Sequence, residues 1–374
     1  MNVITFSFVN SNLNDFQMET KQTLVSSFED LSNELIYEIF EYMNVIHVYD
    51  IFAHLNRRFN VLIMKSNFPI KLHLSSMSKS ALERFNNNFI QSNVCRIRSM
   101  FIFNEFMLNQ NSPFSCQLIE FERIETLNIN ILFKDLVKIV EQLSYLSQLS
   151  SLVINCLDDV KDNISSIYLK IFSLIKLKSC KLTLTEYLLS NLELPFCTNP
   201  SSSIEHLVIT NTIYVEIVKN LLSYMPCLRN VFLNFDDHRV NQTPVHSISL
   251  EHLTNLSLNV RMFEVHRIEQ MLRDCCRTLQ TFRLRTASFR DYQCMNANRW
   301  QQLIQSYLLN LRIFDVQFHL FITDPSEYVQ IKNEIDQFQT SFWTQRKWFF
   351  SYENFDEGKF IFYSKRSYKY KLLL

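Results

Sequence analysis

Glycine is almost missing from this chain, with Gly358 alone among 374 residues. Phosphate-cradling loops need several glycines so that the backbone can approach the ligand closely. Dinucleotide-binding and P-loop readings are therefore excluded, as is the Gly-x-Ser-x-Gly elbow of esterase-type nucleophiles. A surplus of either charge is missing too: Lys plus Arg equals Asp plus Glu at 37 each, so no net field draws the chain to nucleic acid or to an acidic membrane. No apolar run reaches the roughly 20 residues a bilayer-crossing helix requires, and MNVITFSFVNSNLNDF at the start has neither the basic opening nor the small-residue cleavage site of a secretory leader. The nine cysteines contain no Cys-x-x-Cys pair. That pattern predicts reduced thiols packed as small hydrophobes in a soluble protein of the cytoplasm or nucleus.

Catalytic and metal-binding constellations are absent in the same way. Nine histidines lie singly, without a His-Glu-x-x-His or a zinc spacing. His246 and His252 have Glu251 beside them, but their separation fits neither one helix face nor a metal site. Cys275 and Cys276 stand between Arg273 and Arg277, cations that can lower a thiol pKa. Leu272, Cys276 and Leu279 nevertheless share a helix face, which places Cys276 in a core. No catalytic residue, metal or cofactor is expected, and the chain reads as a non-enzyme.

What is present is apolar pattern. Hydrophobic residues make up 47% of the chain and aromatics 14%, which excludes general disorder. Short strands of the form apolar-x-x-apolar-x-apolar recur: Ile124-Leu127-Ile129, Leu149-Leu152-Ile154, Ile204-Leu207-Ile209, Leu228-Val231-Leu233, Leu253-Leu256-Leu258, Leu279-Phe282-Leu284 and Leu311-Phe314-Val316, with weaker copies centred on Met100 and Leu182. Their period is about 25 residues. Amphipathic helices are predicted between them over Asp135 to Leu146, Ser166 to Leu177, Val215 to Tyr224, Val265 to Leu279 and Asn298 to Leu309. One strand and one helix per period cannot bury both faces alone, so neighbours must stack around a continuous core. The pattern is similar to the leucine-rich repeat family, although the Asn or Cys that the family places after the strand is mostly absent.

The segment Phe28 to Ile63 has a different organisation. Leu35, Ile36, Ile39, Phe40 and Met43 repeat at three- and four-residue spacing, as do Val48, Ile51, Phe52 and Leu55, and a third short helix is predicted over Arg57 to Ile63. Ser32 stands where the first helix should be capped, with Glu34 in its first turn, and Asn44 is placed to end that helix in the left-handed conformation. Three short helices cannot turn Leu31, Leu35, Ile39, Phe40, Val48 and Tyr49 all inward, so an apolar docking surface is expected. Leu31, Glu34, Leu35, Ile39, Phe40, Tyr42 and Met43, followed by Leu55, Arg57, Arg58 and Phe59, resemble the F-box, the trihelical motif of ubiquitin-ligase substrate receptors. Ser32 stands where that family usually has proline, and the gap from Val48 to Leu55 is one residue longer than its commonest pattern. The resemblance implies docking on a Skp-family adaptor, and through it on a cullin scaffold, by Leu31, Glu34, Leu35, Ile39, Phe40, Val48 and Leu55, with Arg57 and Arg58 at the rim or in packing.

The expected architecture is α/β. Residues 1–23 are a mobile lead-in, 24–70 an F-box-like helical module, 71–323 a leucine-rich-repeat-like β-α solenoid and 324–374 a C-terminal aromatic β cap. The cap comprises a helix over Glu327 to Phe338 and aromatic strands in WTQRKWFFSYE and KFIFYSKRSYKYKL. A first strand is expected at Ile70, Leu72 and Leu74. Side chains between the strand anchors point away from the core, among them Asn128, Val153, Thr183 with Thr185, Val208, Phe232, Ser257, Arg283, Arg285 and Asp315. Phe232, Arg283 and Arg285 are the candidate contacts to a client protein, since aromatic and Arg side chains dominate interfaces; cover of Phe232 by the 236–247 loop is the competing reading. A non-ligase interaction scaffold of repeat type is the alternative function. Nucleic acid is the less favoured partner. The basic run Lys365 to Lys371 is better explained as protection of an open sheet edge, and the arginines between 261 and 299 are the one other basic cluster.

Overall fold

The computed structural model describes residues 28–65, 67–74, 78–103, 118–159, 164–184, 192–236, 248–261, 265–286, 292–322, 325–355 and 359–365. The expected lead-in, the 237–247 loop, Thr185 and the basic tail after Lys365 lie outside these residues. The architecture is α/β, built on a 12-stranded, mostly parallel, open sheet.

Three short helices come first: α1 (Asn33–Glu41), α2 (Val45–Phe52) and α3 (Arg57–Lys65). Ser32 caps α1 as its composition suggests, accepting from the Leu35 amide at 3.4 Å. Asn44 departs from expectation. It is extended, with φ −66° and ψ 130°, and its Oδ1 accepts from the Ile46 amide at 3.1 Å, so it opens α2 instead of closing α1. Helix α2 therefore begins at Val45, and its phase differs from the expected one: Ile46, Val48, Tyr49 and Ala53 are buried, while Ile51 and Leu55 are exposed. A small core of Ile36, Phe59 and Leu62 holds the three helices together, ringed by Phe28, Leu31, Tyr37, Phe40 and Phe52. Arg58 fastens the entry segment by donating to the Leu31 carbonyl at 2.6 Å, to Asn33 Oδ1 and to the Glu29 carbonyl. Arg58 is thus a packing residue.

The sheet begins with β1 (Ile70–Leu74), followed by α4 (Lys79–Phe85), a π turn over Asn86–Ile90 and the single turn α5 (Gln91–Asn93). Strands β2 (Ile97–Ile102), β3 (Thr126–Ile131), β4 (Ser151–Cys156), β5 (Ser179–Thr183), β6 (His206–Tyr214), β7 (Asn230–Asp236), β8 (Asn255–Val260), β9 (Thr281–Thr286) and β10 (Ile313–Phe321) then add in sequence order, each parallel to the last. Helices α6 (Phe133–Leu143), α7 (Ile164–Phe172), α8 (Val215–Ser223), α9 (Val265–Cys275) and α10 (Ala297–Tyr307) fall where the apolar spacing predicts them, starting up to two residues earlier and ending one to five residues earlier. Leu136, Ile139, Val140 and Leu143 of α6 are buried, and the other helices likewise turn one face to the sheet.

Register explains why the short apolar triplets are legible. Met100, Leu127 and Leu152 pair across neighbouring strands, as do Leu207, Val231, Leu256, Phe282 and Phe314, and all are buried. One assignment needs correction. Cys180, not Leu182, sits level with Leu152 and Leu207, so the middle anchor of β5 is a cysteine. Buried Cys behaves as a small hydrophobe and fills an anchor position. The outward pair on β5 is consequently Lys181 and Thr183.

The far end closes with α11 (Pro325–Asp336), α12 (Ser341–Gln345), β11 (Phe349–Asn354) and β12 (Lys359–Lys365). Strand β12 pairs antiparallel with β10, and β11 forms the outer edge. The expected strand in WTQRKWFFSYE starts only at Phe349, because Trp343 belongs to α12 and is turned into an aromatic cluster with Phe314, Phe338, Trp348 and Phe350. The cap is thus part of the same sheet.

Candidate functional site

Two surfaces carry the residues that the sequence singles out. The first is the outer side of α1. Ile36 faces inward, and this turns Leu35, Ile39 and Tyr42 to solvent at fractional exposures of 48%, 36% and 87%. Their four- and three-residue spacing makes one stripe on the helix. Ile51 and Leu55 are exposed beyond the end of that stripe in the chain, while Leu31 and Phe40 are half-buried and packed on the small core. Val48 does not join them. It is 3% exposed and packs in the main core that includes β1, so its membership of the docking set is corrected.

Beside the stripe runs an acidic one. Glu34, Glu38 and Glu41, with Tyr37 and Phe68, line an open pocket of about 380 Å³. Tyr37 and Phe68 hold each other at a centroid separation of 4.2 Å. Its own backbone N–H and the Ser32 hydroxyl hold the Glu34 carboxyl below the usual carboxylate range. α1 therefore presents an apolar ridge with a negative border.

The second surface is the side of the sheet away from the helices. Phe101, Asn128, Val153, Lys181, Val208, Phe232, Ser257, Arg283 and Asp315 lie level in successive strands. Phe232, Arg283 and Arg285 are half-buried there, as expected of side chains between anchors. Asp315 lies on this face but is not open to solvent. It is buried, Ser364 of β12 donates to it at 2.6 Å, and Arg283 lies 3.6 Å from its other oxygen. Arg283 is accordingly tied into the β9–β10–β12 junction, whereas Arg285 stands one row further along. Lys181, which sequence reasoning missed, occupies the same row as Phe232. An amide ladder runs beside this row, with Asn155 donating to Asn130 at 2.8 Å. His73 stacks on Phe101 at 4.2 Å, and burial followed by the neighbouring Lys71 charge holds its pKa down.

Among the described residues no group of three or more His, Cys, Asp or Glu is placed to hold a metal ion, and no helix is long and apolar enough to cross a membrane. Burial pushes the Cys275 thiol up to about 11 and Cys276 well above its ordinary value, the reverse of what flanking arginines would do for a nucleophile. No protein-family model matches the chain, and no curated protein matches it.

Proposed function

We propose that the chain is a non-catalytic substrate receptor of a cullin-RING ubiquitin ligase, in which α1 to α3 form an F-box-like module and the strands and helices that follow form a leucine-rich-repeat-like solenoid. The observation that carries this reading is the exposed stripe Leu35, Ile39 and Tyr42 on a helix whose opposite face is already packed. An amphipathic helix seldom leaves large apolar side chains outward in line without a partner to cover them. Leu35, Ile39 and Leu55 are the direct contacts to a Skp-family adaptor, Leu31 and Phe40 support them from beneath, and Glu34 with Glu38 selects a groove with a basic border. The solenoid holds a client protein, and fixed placement raises the local concentration of its lysines at the transfer site, so a subunit without chemistry of its own accelerates the reaction.

A second reading, an interaction scaffold without a ligase link, has its own support. Val48 is buried in the core that includes β1, Asn44 donates to the His73 carbonyl at 3.4 Å, and Arg96 donates to the Ile63 carbonyl at 2.8 Å, so the helices also close the first edge of the sheet. The two readings separate in one experiment. Purified adaptor is mixed with the intact chain and with a Leu35→Asp, Ile39→Asp variant, folding being checked by circular dichroism. Capture by the intact chain and loss of it in the variant is expected, since each anchor contributes about 1.5 to 3 kcal/mol when covered. Absence of capture by the folded intact chain leaves the scaffold reading.

A further inference from the structure

From β5 through β9 the half-buried positions of the open sheet face contain Lys181, Arg283 and Arg285 and no carboxylate. Asp236, at the end of β7, is buried. The two acids further along this face are engaged: Asp315 by Arg283 and Ser364, and Glu353 by the Tyr363 hydroxyl at 2.7 Å. In a chain of zero net charge this is a one-signed surface. Lys181 and Arg285 form no ion pair among the described residues. Phe232 stands between them, two strands from each: Lys181 is level with it at about 10 Å by the ordinary strand spacing, and Arg285, one row further along, is at about 12 Å. Val208 adjoins it in the same row.

We propose that this face binds an acidic protein segment that crosses the strands in extended form, an apolar side chain resting on Phe232 and Val208 and a carboxylate reaching Lys181 on one flank and Arg285 on the other. An extended segment advances about 3.3 Å per residue, so the carboxylates fall about three residues from the apolar anchor on the Lys181 side and about three to four on the Arg285 side. This assigns the chemistry of the client and rests on the receptor reading above. A nucleic-acid strand fits less well. It carries its phosphates along its whole length, whereas here the two unpaired cations stand two strands to either side of Phe232, in different rows, with apolar side chains between them.

The test uses the full chain, immobilised, and a displayed library of random segments of about a dozen residues. Enriched segments are expected to carry Asp or Glu about three to four residues to each side of an apolar residue. A Lys181→Glu, Arg285→Glu variant should lose their capture by about tenfold or more, Lys181→Gln with Arg285→Gln should give an intermediate loss, and Phe232→Ser should weaken capture without changing its salt dependence. Circular dichroism and adaptor capture are read on the same preparations. Enrichment of segments without carboxylates, no enrichment, or capture untouched by the folded charge variants overturns the proposal. Displacement of the acidic segments by single-stranded oligothymidine at lower concentration than by free acidic peptide assigns the face to nucleic acid instead. Adaptor capture without acidic-segment binding removes this inference alone; acidic-segment binding without adaptor capture removes the ligase reading alone.

Discussion

The two ends of the sheet solve the same problem with different side chains. At the far end, β12 and β11 extend the sheet while Trp343, Trp348, Phe338 and Phe350 gather in a buried aromatic cluster. Among the described residues, the large apolar side chains left outside there, Phe321, Val329, Phe349 and Phe355, are scattered over β10, α11, β11 and the residue after it. Scattered exposure of that kind is ordinary on any surface. At the near end α2 packs on β1 and turns Ile46, Val48 and Tyr49 into the main core, with Tyr49 against Phe85 and Phe89, yet α1 still turns Leu35, Ile39 and Tyr42 outward in line. Closing a sheet end therefore accounts for one side of the N-terminal helices and leaves the other unexplained. The surplus on α1 is thus the feature that the proposed adaptor docking would use.

If that contrast holds, substitutions at the two ends and on the two sides of the N-terminal helices must separate by energy. The largest effect is expected for Trp343→Ala: its side chain is fully buried beside Phe314 and Phe342, and truncation should cost about 3 to 5 kcal/mol, read from the urea midpoint. Val48→Asp comes next. An unpaired carboxylate beneath β1 should cost about 3 kcal/mol or more, whereas Leu35→Asp on the neighbouring helix should stay within about 0.5 kcal/mol of the parent. Equal losses for Val48→Asp and Leu35→Asp would erase the distinction between closing side and docking side, and with it the support that the stripe lends to adaptor binding.

The parts of this fold that sequence made legible are those where one short-range pattern suffices. A buried strand needs its apolar triplet, and a helix needs its cap and its spacing, as at Ser32 and α1. The misplaced residues depend on something distant or on an unusual residue type. The phase of α2 is set by β1, which lies beyond α3 in the chain, so Val48 reads as surface until the strand is present. Asp315 reads as outward because the hydroxyl that holds it, Ser364, is 49 residues away. Lys181 was lost to a different cause: with Cys180 not counted as apolar, the β5 triplet was anchored two residues late, which named Thr183 and Thr185 in place of Lys181 and Thr183. Alternation alone places Phe232, Arg283 and Arg285 on the open sheet face, but it does not show the ion pair that occupies Arg283.

The shortage of glycine leaves a trace at the cap, and it sharpens the comparison of the two ends at the smallest energy. Among the described residues Lys347, with φ 57°, is the one non-glycine in the left-handed region. It follows α12, where the Trp348 amide donates to the Trp343 carbonyl at 3.1 Å and the Lys347 amide donates to the Thr344 carbonyl at 3.0 Å. Those two bonds are the paired reverse bonds of a Schellman ending, whose left-handed position glycine normally takes. The accompanying apolar contact is also present, since the Trp343 and Trp348 rings lie 6.0 Å apart. A side chain with a Cβ costs about 1 to 2 kcal/mol in this conformation, part of which is offset because it restricts the unfolded chain more than glycine does. Lys347→Gly should therefore raise stability by about 0.5 to 1 kcal/mol, seen as a higher urea midpoint at unchanged slope. Lys347→Val should lower it, because a β-branched side chain is the worst fit to a positive φ. A loss of stability on Lys347→Gly would mean that the lysine side chain, not the turn, is what holds α12 against β11, and that the cap, unlike the N-terminal helices, depends on its surface charges.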